Sequence, residues 1–268
     1  MRFGCCGCMI SPSVDPIGVE IVESLADIGF DYIELSLWDI MALSDVAFSN
    51  LVGRVERSGI RCEACNNFFP PRVRLTGSEA SLAAALDYAA KSMQRAARVG
   101  AQIIVFGSSG AKNVPQGFPI ADAWKQLVEL LWDLGTLAEQ YGITIAIEPL
   151  NQKESNIINL ASEGLRLARE VNHPNIRLLV DFYHLMTQRE SLGIILEADS
   201  AICHLHFAKP EGRIFPTEPE DQFLRFFRNL REIRYSGRCS VEAYTHDFES
   251  DARHALQVLR ELTSGSTE

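Results

Sequence analysis

The chain has 268 residues, 47% of them hydrophobic and 22% charged, enough apolar material for one large core and too much for a disordered protein. A formal net charge of −10 opposes tight contact with phosphate backbones or anionic lipid. No apolar run reaches the roughly 20 residues needed to span a bilayer, and MRFGCCGCMI lacks the basic-then-apolar layout of a signal peptide. The expectation is a cytoplasmic protein with no nucleic-acid or membrane partner.

In chain order, Arg2 to Met9 reads as a first strand, and a helix from Asp15 to Ile28 follows, with Asp15-Pro16 as N-cap and first helical residue and Gly29 closing it. Asp31–Ser36 is a second strand, followed by a helix near Ser44–Arg57. Ile60–Cys65 is a third strand, running into the loop Asn66–Pro71, and a long amphipathic helix covers Ser78–Val99. Gln102–Phe106 is strand four and Ala121–Gln140 the next helix. Ile143–Asn151 is the most informative stretch: an apolar run with no polar face, as in a parallel strand buried on both sides, ends in Glu148-Pro149.

The second half repeats the rhythm, with a helix near Ser162–Val171, strand six at Asn175–Asp181 and a short helix at Ser191–Ala198. Strand seven is Ala201–Phe207, with an irregular loop from Lys209 to Pro219. A helix at Asp221–Ile233, strand eight at Arg238–Glu242 and a last helix at Ser250–Leu262 complete the series. Eight strands alternating with helices imply parallel pairing and right-handed crossovers. At this length they predict one (β/α)8 TIM barrel over residues 1–263 with a polar tail at 264–268. An open doubly wound sheet would usually carry a glycine-rich phosphate loop after strand one, and Cys5-Cys6-Gly7-Cys8 is a poor one.

Cys5-x-x-Cys8 and Cys62-x-x-Cys65 have the spacing of a structural zinc site. Both pairs fall in expected strands, where residues three apart point to opposite faces and their thiolates would not converge. Reduced, buried thiols are therefore expected.

Closing the barrel gathers Glu148, Asp181, His206 and Glu242, from the tips of strands five to eight, at one mouth. Carboxylates crowded in a low-dielectric mouth repel unless a cation neutralises them. Three carboxylates and one imidazole form an oxygen-rich set that suits one Mn²⁺, Mg²⁺ or Co²⁺ better than structural zinc. His184 follows Asp181 by one turn and leans over the same site. His204 shares a strand face with His206, one layer deeper, and reads as a core hydrogen-bonder rather than a ligand. Arg213, in the loop after strand seven, is the one nearby cation free to meet a substrate oxygen, an exposed surface arginine being the alternative reading. Phe68, Phe69 and Trp38, on the loops after strands three and two, suit either an apolar wall over a ligand or plain loop packing, the commoner use.

Glu148-Pro-Leu-Asn151 with Glu154, Asp181-Phe-Tyr-His184, His204-Leu-His206 and Ser240-Val-Glu242 together resemble the xylose isomerase-like barrels of the sugar isomerase/epimerase superfamily. The pattern is most similar to the ketose 3-epimerases, those of D-tagatose and D-psicose. The resemblance implies that Glu148, Asp181, His206 and Glu242 bind one divalent metal, Mn²⁺ foremost, and that Glu154, His184 and Arg213 bind substrate. It also implies a homo-oligomer, dimer or tetramer. The interval from His206 to Arg213 is one residue longer than in those epimerases.

Glu148 and Glu242 would serve as the two acid–base groups, one removing a proton beside the ketose carbonyl and the other returning it from the opposite face, through a metal-stabilised enediolate. Return to the neighbouring carbon would make an aldose–ketose isomerase. An inosose dehydratase or hydroxypyruvate isomerase keeps a similar metal site. Apurinic endonucleases on the same barrel need further histidines at strands two to four, where this chain has none, and a barrel that binds sugar without turnover would not need both glutamates.

Overall fold

A computed structural model of the chain describes residues 1–11 and 13–264. β1 (Arg2–Cys6) runs into a 3-10 turn at Gly7–Met9 and then α1 (Val22–Ile28), β2 (Tyr32–Ser36), α2 (Leu37–Ala42) and α3 (Asp45–Arg57). β3 (Arg61–Asn66) and α4 (Leu82–Val99) follow, then β4 (Ile103–Phe106), α5 (Ser109–Lys112), α6 (Ile120–Glu139) and β5 (Thr144–Ile147). The rest is α7 (Ala161–Val171), β6 (Ile176–Asp181), α8 (Phe182–Thr187), α9 (Ile194–Ala198), β7 (Ile202–Phe207), α10 (Asp221–Glu232), β8 (Arg238–Val241) and α11 (Phe248–Ser264).

Each strand pairs in parallel with the next, and β8 returns to β1 in the register Gly4↔Ser240, which closes the barrel as the alternating pattern implied. The core has two compartments. Tyr32, Ala64, Ile103, Val105, Ala146 and Leu179 fill the barrel interior, while a larger apolar layer lies between the strands and the surrounding helices. Gly4 leaves room for the Tyr32 ring, since a Cβ there would lie 2.3 Å from it. The outer layer is built by helices such as α4, whose buried Ala85, Ala89, Ser92, Met93, Ala96 and Val99 follow the helical spacing of one apolar stripe. Behind the tips of β6 and β7, Phe182 and Phe207 stack 5.0 Å apart and pack on Phe223 and Phe226 of α10. These rings anchor the backbone beside Asp181 and His206. Among the described residues no helix is long and apolar enough to cross a membrane.

The structure corrects several expectations. The first strand stops at Cys6, and Cys8 lies in the 3-10 turn with its thiol against Asn66. The first helix begins at Val22 and not at Asp15. Gly18 sits at φ +88° against Gly7, outside helical space, and the buried Asp15 carboxylate caps a turn by accepting from the Glu20 amide at 2.7 Å. Short helices α2 and α8 follow directly on strands and α5 begins after Gly107 and Ser108, where no helix was expected near Leu37 or Ser109. The last helix runs to Ser264, and the rest of the expected tail, 265–268, lies outside the described residues.

The premise used for Cys62 and Cys65 also fails. In the β2–β3 register Ile33 pairs with Cys62 and Glu34 with Ala64, so Glu63 is an extra residue in a bulge. The bulge resets the alternation, and the two thiols lie on one side of β3 with their sulfurs 3.8 Å apart. At the N-terminal end of the barrel, the bulged Glu63 accepts hydrogen bonds from Arg2 (2.5 Å) and Arg238 (2.5 Å). It thereby ties together strands from both sides of the closure.

Burial pushes the Glu63 carboxyl up, and the Arg2 and Arg238 hydrogen bonds outweigh it and hold the carboxyl below its usual range. A carboxyl lowered in the folded state contributes stability that is present above its unfolded value and lost as pH falls through the folded one. Glu63→Gln should therefore cost about 1–3 kcal/mol in urea denaturation near neutral pH. The variant and parent should converge in acid.

Candidate active site

The strand ends converge as the closed barrel requires. Asp181 ends β6 and His206 stands in β7, while Glu148 and Glu242 directly follow β5 and β8. Their backbones continue the ladder, the Glu148 amide donating to Phe106 O at 3.3 Å and the Glu242 amide to Phe207 O at 3.1 Å. One donor atom from each of Glu148, Asp181, His206 and Glu242 lies within 4.8 Å of the others, and all four residues are buried. Nδ1 of His206 is 2.9 Å from Glu148 Oε1 and 3.2 Å from Glu242 Oε2.

The three residues expected at the substrate also reach this mouth. Arg213 sits in a tight turn between Lys209 and Ile214, at φ +51°, a left-handed conformation that costs a non-glycine residue about 1–3 kcal/mol. Its backbone is pinned by the Tyr244 amide at 2.8 Å. The guanidinium lies over the Tyr183 ring, 4.7 Å from its centroid, donates to Glu242, and stands 3.6 Å from Asp181 and 3.7 Å from Glu154. His184 accepts from the Asn151 amide at 3.2 Å through Nδ1, and its Nε2 is 3.4 Å from Asp181 and 3.9 Å from Glu154. Asn151 donates to Glu154 at 2.8 Å and so couples the two.

The charges are unequal in effect. Burial raises the Glu148 carboxyl, and the adjacent His206 only partly offsets it. For Glu242 burial pushes the same way but Arg213 and His206 overrule it, bringing the carboxyl down to about 2. Burial would lower His206, yet Glu34, Glu242 and Glu148 hold it well above its ordinary value. The carboxylates of Glu34, Glu148, Asp181 and Glu242 face one guanidinium, that of Arg213, and the imidazoles of His184, His204 and His206. That excess of negative charge away from water is what a bound divalent cation would relieve. The donor set fits such an ion on a second observation: Asp181 Oδ2 is buried and has no hydrogen-bond partner among the described residues.

Three features escaped the sequence reading. Glu34 is fully buried inside the barrel and bonds both His204 and His206. His204 is thereby the core hydrogen-bonder expected of it. Lys112, also fully buried, donates to the backbone oxygen of Glu148 at 3.1 Å, and burial lowers its ammonium to about 8. Gly107 supplies the space for Glu148, because a Cβ there would come within 2.1 Å of Oε2. Each is a single residue outside any repeated pattern and so carries no spacing signal. The apolar wall is only partly realised. Trp38 lines the roughly 180 Å³ cavity above the carboxylates, together with Asn66, Ser108 and Leu150. Phe68 and Phe69 are instead packed into the core against each other and Phe106.

Residues 22–262 match the family described as xylose isomerase-like TIM barrel. The chain is similar to the D-psicose 3-epimerase of Agrobacterium fabrum, 24% identical over 250 residues that cover 91% of this chain and 85% of that protein. Its fold superposes on the crystal structure of a D-psicose 3-epimerase in the presence of D-fructose with a TM-score of 0.86 at 21% identity, over 99% of this chain and 100% of that one. It also superposes on the apo form of the 3-keto-D-glucoside 4-epimerase of E. coli, with a TM-score of 0.81 at 19% identity and coverage of 97% and 99%.

The Arg213–Glu242 pair predicts a local titration. In metal-free protein, Arg213→Met should raise the Glu242 carboxyl from about 2 by about 1–3 pH units, read by ¹³C NMR of labelled glutamate. An unchanged value would contradict the electrostatic role given to Arg213.

Proposed function

The chain belongs to the xylose isomerase-like TIM barrel family, and on that footing we propose that it is a divalent-metal-dependent ketose 3-epimerase. The observation that carries this reading is the buried cluster of Glu148, Asp181, His206 and Glu242, with donor atoms within 4.8 Å of one another and two glutamates from strands three apart in the barrel. Those four residues would hold one ion, Mn²⁺ foremost, with Mg²⁺ or Co²⁺ also suited to an oxygen-rich set. When bound, the ion supplies Lewis-acid stabilisation of the negative charge that develops on the ketose oxygens, an effect of several kcal/mol.

The chain's own groups supply the rest. Arg213 and His184 bind hydroxyl or carbonyl oxygens of the sugar, with Glu154 accepting from a hydroxyl. His184 Nε2 and Arg213 Nε are buried without a hydrogen-bond partner among the described residues, so each has a donor or acceptor to offer. Glu148 and Glu242 exchange the proton on the carbon beside the carbonyl, one carboxylate removing it from one face and the other carboxyl delivering one to the opposite face. That inverts the carbon. The two differ in readiness to hold a proton, since burial favours protonated Glu148 and Arg213 favours ionised Glu242. The roles of the two exchange in the reverse direction. Gly107 and Lys112 keep Glu148 in place, one by leaving room and one by holding its backbone.

A panel of ketoses incubated with the protein and Mn²⁺ in D₂O tests the proposal. Deuterium should enter at carbon 3, and Glu148→Gln and Glu242→Gln should each lower kcat on the order of 10²–10⁴-fold. Deuterium at carbon 1 with aldose formation would replace epimerisation by isomerisation, and no metal-dependent exchange with any sugar would remove both.

A further inference from the structure

If Glu148, Asp181, His206 and Glu242 hold one ion as proposed, His206 must present a lone pair to it while its other nitrogen is buried against β2. We propose that Glu34 is a positioning residue that fixes the tautomer and orientation of His206 and so sets ion affinity, without touching ion or sugar. Glu34 is completely buried, and both its oxygens are occupied. Oε1 is 2.9 Å from His206 Nε2, while Oε2 is 2.8 Å from His204 Nε2 and accepts from Ser240 Oγ at 2.6 Å. Tyr32 OH lies 2.8 Å from the same Ser240 hydroxyl and extends the network to the barrel interior.

The chemistry of the groups then constrains the ring. A carboxylate is acceptor-only, so the hydrogen between it and His206 sits on Nε2. A cation bound at the other nitrogen would take the place of its proton, leaving a neutral ring with its hydrogen on Nε2 and its lone pair on Nδ1. Nδ1 is the nitrogen that faces Glu148 and Glu242. A carboxylate behind a ligating histidine orients the ring and makes it a better ligand, and losing such a partner typically costs about 10–100-fold in metal affinity. Cys6, Glu34 and His206 also form a compact group, with Cys6 Sγ 3.9 Å from His206 Nε2. An ion placed there would have to displace the hydrogen on Nε2 and the donors already held by Glu34. The geometry therefore assigns one ion per chain, on the Nδ1 side.

Titration of metal-stripped, full-length protein with Mn²⁺, with free ion followed by electron paramagnetic resonance, tests this. The parent should bind one ion. Glu34→Gln, whose amide cannot accept from both histidines, should weaken Kd by about 10–100-fold with circular dichroism unchanged. Ser240→Ala, which removes one donor from Glu34, should weaken Kd by a smaller factor and carries the test if Glu34→Gln does not fold. In the diamagnetic Mg²⁺ form, ¹⁵N spectra of labelled histidine should show the His206 proton on Nε2, and Glu34→Gln should lose that preference. Unchanged Kd in the variants, a proton on Nδ1, or two ions per chain would overturn the role of Glu34 while leaving the site a metal site. A parent that takes up no ion would overturn the metal reading and this one together.

Discussion

At the mouth of the barrel one imidazole stands among three carboxylates, Glu34, Glu148 and Glu242, all within 3.2 Å of its two nitrogens. Charges of one sign withdrawn from water to this degree repel or take up protons unless something positive joins them. Everything else at this end of the molecule bears on that problem. Arg213 is held in a left-handed turn to reach Glu242, Lys112 is buried to reach the back of Glu148, and the phenylalanines of α8, α10 and β7 fix the strands that carry Asp181 and His206. The arrangement is in keeping with the proposed function, in which a cation would be received here and two of the same carboxylates would act as acid and base.

The opposite end shows what the same charges do when the purpose is only to hold the fold. Glu63 is also a partly enclosed acid at a bulge, yet Arg2 and Arg238 satisfy it directly. Its partners are fixed and its oxygens are used up. At the mouth, by contrast, Asp181 Oδ2 and His184 Nε2 are buried and left without hydrogen-bond partners among the described residues. Such groups are costly to leave open, and that cost is the physical signature of a place kept for a ligand.

The barrel and its four convergent tips were legible because both rest on repetition. Apolar runs ending in Glu148, Asp181, His206 and Glu242 recur at (β/α) spacing, and closure does the rest. What was not legible depended on single residues. Glu34 lies between Ile33 and Leu35, where one acid reads as an ordinary strand residue facing out, and only the closed barrel reveals that it faces in. Gly18 in left-handed space cancelled an apparently good N-cap at Asp15-Pro16. The extra residue Glu63 reversed the alternation on which the separation of Cys62 from Cys65 was argued. Phe68 and Phe69 were drawn into the core because two large rings next to Phe106 bury more apolar surface there than over an open mouth.

The tether from Lys112 to the Glu148 backbone has a consequence for anyone who would reshape this pocket. The segment after β4 both borders the cavity, through Ser108 and Ser109, and carries the ammonium that braces Glu148, one of the two proposed acid–base groups. Grafting a foreign loop there to admit a different sugar would exchange that brace as well. On this flank of the barrel, selectivity and reactivity are inherited as one piece.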